Sequence, residues 1–176
     1  NRPNWDPDGA PWGIRPEAFN RSVHGGRTTN FLIRSGDALF LIDHGSGIDL
    51  SSQLAIEMLK YDQRKKVEIT VLMSHFHMDH INGTPQNSLL FRPGTLLRYY
   101  SPDLSPFRPP VEHSPVGFSG MEHVLRAYFN PSGTYFPVPL DRLPSQREFT
   151  QFEVGKALNL GDGRAHTISS KHPGGC

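Results

Sequence analysis

An α/β fold is predicted by three features of the chain. Residues 67–73 place Val67, Ile69, Val71 and Met73 on one face at a period of two, the pattern of a buried strand. Two short apolar runs, 29–34 and 38–42, flank Ser35-Gly36-Asp37, which is a hairpin signal. Between hairpin and strand, Leu54, Ala55, Met58 and Leu59 recur at helical spacing, with Asp49 or Ser51 in place to cap the helix. The order is strand, strand, helix, strand, and residues 43–47 form the turn that leaves the hairpin.

The flanking regions differ in character. Residues 1–22 are rich in Pro, Gly, Asp and Asn and predict an extended arm packed by Trp5, Trp12 and Phe19. Residues 93–144 hold ten of the 16 prolines and are too long for a plain connection, so they are expected to form a lid or substrate wall. Within them, Ser119-Gly120-Met121-Glu122 has the form of a capping box. Met121, Val124, Leu125 and Tyr128 follow at i, i+3, i+4 and i+7 and predict a helix. Regular structure is expected to resume as successive antiparallel strands over 148–154, 157–160 and 165–170, the last two joined by Gly161-Asp162-Gly163. Neither an internal repeat nor a low-complexity tract is present.

The 176 residues suffice for one domain with a real core, and 1–176 is read as a single domain. Lys plus Arg number 18 against 17 for Asp plus Glu, a net charge of +1, so nothing electrostatic points to nucleic acid. Arg64-Lys65-Lys66 reads as a solvated helix end. The lone cysteine, Cys176, allows no internal disulfide, which is compatible with a reducing cytoplasm. No apolar run approaches the roughly 20 residues of a membrane span, and no signal-peptide core opens the chain. Composition leaves the oligomeric state open.

The chemistry concentrates in Ser74-His75-Phe76-His77-Met78-Asp79-His80, where three histidines and one aspartate fall within six residues. At the extended end of a strand, His75 and His77 at i and i+2 point the same way. Asp79 and His80 follow in the next turn, where they can face a second metal. Imidazole nitrogens suit zinc, iron, nickel or copper, and the carboxylate adds charge. Asp43, at the sheet end, is a candidate either to orient these ligands or to bond its own turn backbone. His44 is given no role. His24, His113, His123 and His166 read as structural or exposed.

The H-x-H-x-D-H motif after a buried strand resembles the metallo-β-lactamase-fold hydrolases. So do Gly25-Gly26-Arg27-Thr28-Thr29-Asn30 before the first strand and Asp43-His44-Gly45-Ser46-Gly47 after the second. Tyr135-Phe136-Pro137-Val138-Pro139-Leu140 and Lys171-His172-Pro173-Gly174-Gly175 resemble one branch, the enzymes akin to phosphoribosyl cyclic phosphodiesterase. The resemblance runs from about Gly25 to the last residue. It implies an αββα sandwich with two metals, zinc foremost, with manganese, iron or nickel as alternatives. It implies that His75, His77 and His172 hold the first metal, with Asp79 and His80 on the second. Asp79 would also orient the attacking water. The family's two further ligands would lie beyond His172, where only Pro173, Gly174, Gly175 and Cys176 remain, so a chain incomplete at its C-terminus is expected.

The activity so implied is metal-assisted hydrolysis of a small-molecule phosphodiester. A lactone, a thioester or a β-lactam suits the same donors. A non-catalytic metal-binding or interaction module is the reading if the natural chain ends at Cys176.

Overall fold

The computed structural model describes residues 26–61, 67–103, 120–132, 135–160 and 163–170. The expected arm with Trp5, Trp12 and Phe19, and His24, His113 and His172, lie outside the described residues. Strands β1 (Phe31–Ser35) and β2 (Ala38–Ile42) form the expected antiparallel hairpin, turning at Gly36 with a φ of 58°. Helix α1 (Ile48–Tyr61) leads to β3 (Val67–Leu72), which lies parallel to β2. Among the described residues these strands belong to a five-stranded sheet in the order β1-β2-β3-β4-β5, with β4 at Thr95–Pro102 and β5 at Gln146–Phe152. The α/β class expected from sequence is thus present: a mostly parallel sheet with helices.

One face of this sheet carries the core. Leu39 and Leu41 of β2, Val67, Ile69 and Val71 of β3, and Leu97 and Tyr99 of the next strand are all buried. They join Ile48, Ala55, Met58 and Leu59 of α1 and Met121, Val124 and Leu125 of α3 (Met121–Tyr128) in one cluster. Alternation dictates this, because every second residue of a strand faces the same side and burial of its apolar surface is the main favourable term. On the opposite face β4 places Arg98 between Glu68 and Glu148 at 2.9 and 3.4 Å, half-exposed pairs that add little stability.

Several elements differ from the expectation. Helix α1 begins at Ile48, so Asp49 lies in its first turn rather than at its cap, paired with Arg27. The N-cap of α3 is Gly120, with φ 64° and no side-chain cap, and not the expected capping box, whose Ser119 lies outside the described residues. The Pro-rich 93–144 segment contains β4 (Thr95–Pro102), a core strand parallel to β3, so it is not a lid throughout. Thr95, Leu97, Tyr99 and Ser101 are its buried face, a period-two pattern whose polar ends and neighbouring prolines disguise it. Strand β5 (Gln146–Phe152) pairs parallel to β4 rather than opening an antiparallel series. The hairpin β6 (Ala157–Asn159) and β7 (Arg164–His166) is a separate two-stranded sheet, and β7 stops at His166 rather than running to residue 170.

Two close approaches lock the loop after β2 to the loop after β3. A Cβ on Gly45 would overlap the carbonyl oxygens of Thr29 and Asp79, and one on Gly83 would overlap that of Gly45. His44 N donates to His80 O at 2.7 Å and Gly83 N donates to His44 O at 2.8 Å. The His44 ring, left without a role by the sequence, is a buried core group against the edge of Tyr99. Thr84 Oγ1 donates to Ile81 O, so at 3.4 Å it accepts from His44 Nδ1, while Asn87 Nδ2 donates to Nε2 at 3.5 Å. A second ring proton would oppose the Asn87 donor.

Burial accordingly lowers the His44 pKa from 6.5 to about 3. Unfolded His44 takes up a proton below its ordinary value while the folded ring stays neutral until about 3. The stability is therefore complete above that ordinary value and is lost as pH falls through the window, by up to about 1.4 kcal/mol per pH unit. Urea unfolding between neutral and acid pH is expected to show this decline, and His44→Gln is expected to flatten it. An unchanged slope in the variant would refute the assignment.

Candidate metal centre

The carboxyl ends of the parallel strands converge on one corner of the sheet. Strand β3 ends at Leu72, and residues 73–77 continue without regular structure into the one-turn helix α2 (Met78–Ile81). Asp79 and His80, expected in a turn, lie on this helix. The His75 and His77 rings lie 4.7 Å apart at a steep angle, and the His75 and His80 rings 3.9 Å apart. His75 is buried, and His80 is 15% exposed in its side chain. Asp79 extends from the same turn, its Oδ2 3.4 Å from His80 Nε2 and its side chain 57% exposed. The structure thus brings together four of the five sequence-predicted donors; the fifth, His172, lies outside the described residues. Among the described residues, no group of three or more His, Cys, Asp or Glu side chains is arranged to hold a metal ion.

Asp43 sets the orientation of this group. It is 1% exposed and has a φ of 58°, a left-handed backbone that few non-glycine residues adopt and that Asn and Asp tolerate best. The backbone is held there by Asp43 N donating to Leu72 O at 2.9 Å and Asn30 Nδ2 donating to Asp43 O at 2.6 Å. The carboxylate then accepts three bonds of 2.7 Å, from Ser74 N, Ser74 Oγ and His80 Nδ1. Of the two roles open to Asp43 from sequence, the structure shows the orienting one.

These bonds determine the tautomers. His80 donates from Nδ1 to the carboxylate, so in the neutral ring its Nε2 carries the lone pair. Ser74 Oγ has one hydrogen, given to Asp43, so it accepts from His75 Nδ1 at 3.0 Å. His75 therefore also presents Nε2 as an acceptor nitrogen. A histidine that ligates a metal gives its other ring N–H to a carboxylate or similar acceptor. The donor chemistry fits a zinc-type cation: neutral imidazoles with fixed tautomers and an adjacent carboxylate. Ser74 is the participant that sequence reasoning missed. Its signal was its place, the last residue before the first histidine at a strand end.

A cleft of about 510 Å³ opens beside His75. Ile42, Leu72, Pro102 and Phe152, the terminal residues of β2, β3, β4 and β5, line it together with Leu158 and Ile168. A crevice outside the carboxyl ends of parallel strands is the usual ligand position in open α/β sheets. A second hollow of about 660 Å³ borders Asp79, lined also by Arg27, Thr28, Asn30 and Ser51.

Fold and site together define an α/β protein with histidine and carboxylate donors gathered at the ends of its sheet strands. Residues 25–170 match the profile of the Metallo-beta-lactamase superfamily, and the chain belongs to that superfamily. Its members are mostly metal-dependent hydrolases that bind zinc or other divalent metals. No match was found among curated proteins or among solved structures. Among the described residues, no helix is long and apolar enough to cross a membrane.

Asp43→Asn tests the orienting role, because Asn keeps the left-handed backbone while losing the charge that holds His80 and Ser74. The variant is expected to bind zinc about 10–100-fold more weakly in chelator competition, with its secondary structure kept. Wild-type affinity would exclude an orienting role for Asp43.

Proposed function

We propose that the protein is a hydrolase of a small-molecule phosphodiester, with a dinuclear zinc centre. The observation that carries this reading is the Asp43–Ser74 network, which turns the Nε2 atoms of His75 and His80 into acceptors beside the exposed carboxylate of Asp79. In this reading His75, His77 and His172 hold one metal, and Asp79 and His80 contribute to the second. When bound, the metals lower the pKa of a water and offset charge on the reacting group.

The chain's own residues do the rest. Asp79, 57% exposed in its side chain, accepts a hydrogen bond from the attacking water and so points its lone pair at the ester. Asp43 keeps the His80 ring in one tautomer and one plane throughout. Ser74 does the same for His75. The apolar lining of the adjoining cleft limits water around the reacting group. The choice of a phosphodiester rests on the segments at 135–140 and 171–175, which resemble the cyclic phosphodiesterase branch.

The test is a substrate panel on zinc-loaded protein: bis(p-nitrophenyl) phosphate, p-nitrophenyl phosphate, an acyl thioester, a lactone and a chromogenic β-lactam. Turnover of the diester above the others is expected, and preference for any other class would overturn the phosphodiesterase reading. Asp79→Ala is expected to lose more turnover than the about 10–100-fold typical of an orienting partner. Its melting temperature should stay close to wild type, because the side chain is outside the core. Full turnover in that variant, or collapse of its fold with metal retained, would contradict the role given to Asp79.

A further inference from the structure

We propose that Met78, Tyr128 and Tyr135 form one wall of the substrate site and take a planar aromatic group carried by the substrate. This rests on the hydrolase reading above. Met78 sits between His77 and Asp79 in the metal motif, yet the residue is 66% exposed, and α2 buries no residue at all. Tyr128 closes α3, and its hydroxyl reaches the Met78 sulfur at 4.0 Å. Tyr135 meets Tyr128 edge to face, with ring centres 5.7 Å apart and planes at 60°, and is itself 69% exposed.

The sequence pair Tyr135-Phe136 divides its labour. Phe136 packs against Phe129 and Phe91, with ring centres 5.1 and 5.6 Å apart, and its backbone bridges that of Phe129. Successive side chains of an extended segment point to opposite sides, so anchoring Phe136 inward turns Tyr135 outward. Core packing therefore accounts for Phe136 and leaves Tyr135 unexplained. A thioether and two phenol rings are polarisable, and each favours ring edges and faces as partners. The size of the patch selects its occupant. A protein interface needs about 800 Å² and 20–30 residues on each side, far more than these three side chains among the described residues can supply. With Met78 next to His77 and Asp79 in the chain, an ester group of the reacting substrate is the group that would carry the aromatic ring.

The experiment compares diphenyl phosphate with dicyclohexyl phosphate by titration calorimetry on the zinc-loaded full chain. The two ligands share charge and approximate size and differ in planarity. Diphenyl phosphate is expected to bind about tenfold more tightly, the scale of an aromatic pair beyond its buried area. Tyr135→Ala is expected to erase the difference and Tyr135→Phe to keep it. Equal binding to wild type, no binding of either ligand, or a difference that survives Tyr135→Ala would overturn the proposal. Because binding is read rather than turnover, failure of the diester in the substrate panel and failure here are separate results.

Discussion

The site depends on the Asp43 carboxylate. It is buried at the end of β2, and three hydrogen bonds of 2.7 Å converge on it from the loop after β3 and from α2. A buried charge is tolerable only when its lone pairs are occupied, and here the occupants are the groups that must be oriented. The same contacts satisfy the carboxylate and fix the planes of two imidazoles. The left-handed backbone at this position aims the carboxylate across the parallel β2–β3 pair rather than back along its own turn.

Behind this network the two loops are held in contact by small residues and by a neutral core histidine. Gly45 and Gly83 allow the backbones of residues 29, 45 and 79 to approach more closely than any side chain permits. His44 joins the loops through its backbone, while its ring, between Thr84 and Asn87, is kept uncharged by burial. The Asp43–His44 pair thus divides into a charged group facing the site and a neutral one facing the core.

The elements legible from sequence were those with a clean period. Val67, Ile69, Val71 and Met73 predicted their strand and its buried face, and Ser35-Gly36-Asp37 predicted the hairpin. Strand β4 was not legible, because Thr95 and Ser101 stand where apolar residues would have shown the alternation, and prolines at 93 and 102 suggested a loop. The direction of β5 was not legible either. A strand's residues are the same whichever way its neighbour runs, and direction is determined by the crossover through α3. The capping box failed for a local reason, since Gly120 takes the cap position with a positive φ.

Sequence alone determined the α/β class, the superfamily resemblance and which side chains are candidate donors, because spacing and residue type are linear properties. His75, His77, Asp79 and His80 are close in the chain and are therefore close in space whatever the rest of the fold does. Tertiary structure decided what lies far apart in sequence. It brought Asp43 to Ser74 and His80, selected one of the two roles open to that aspartate, and set the tautomer of each ring. It also separated Tyr135 from Phe136, placing one outside and one in the packing with Phe129. The reason is physical: a hydrogen bond spanning 37 residues of chain exists only after β2 and β3 have paired in register, and no local pattern records that pairing.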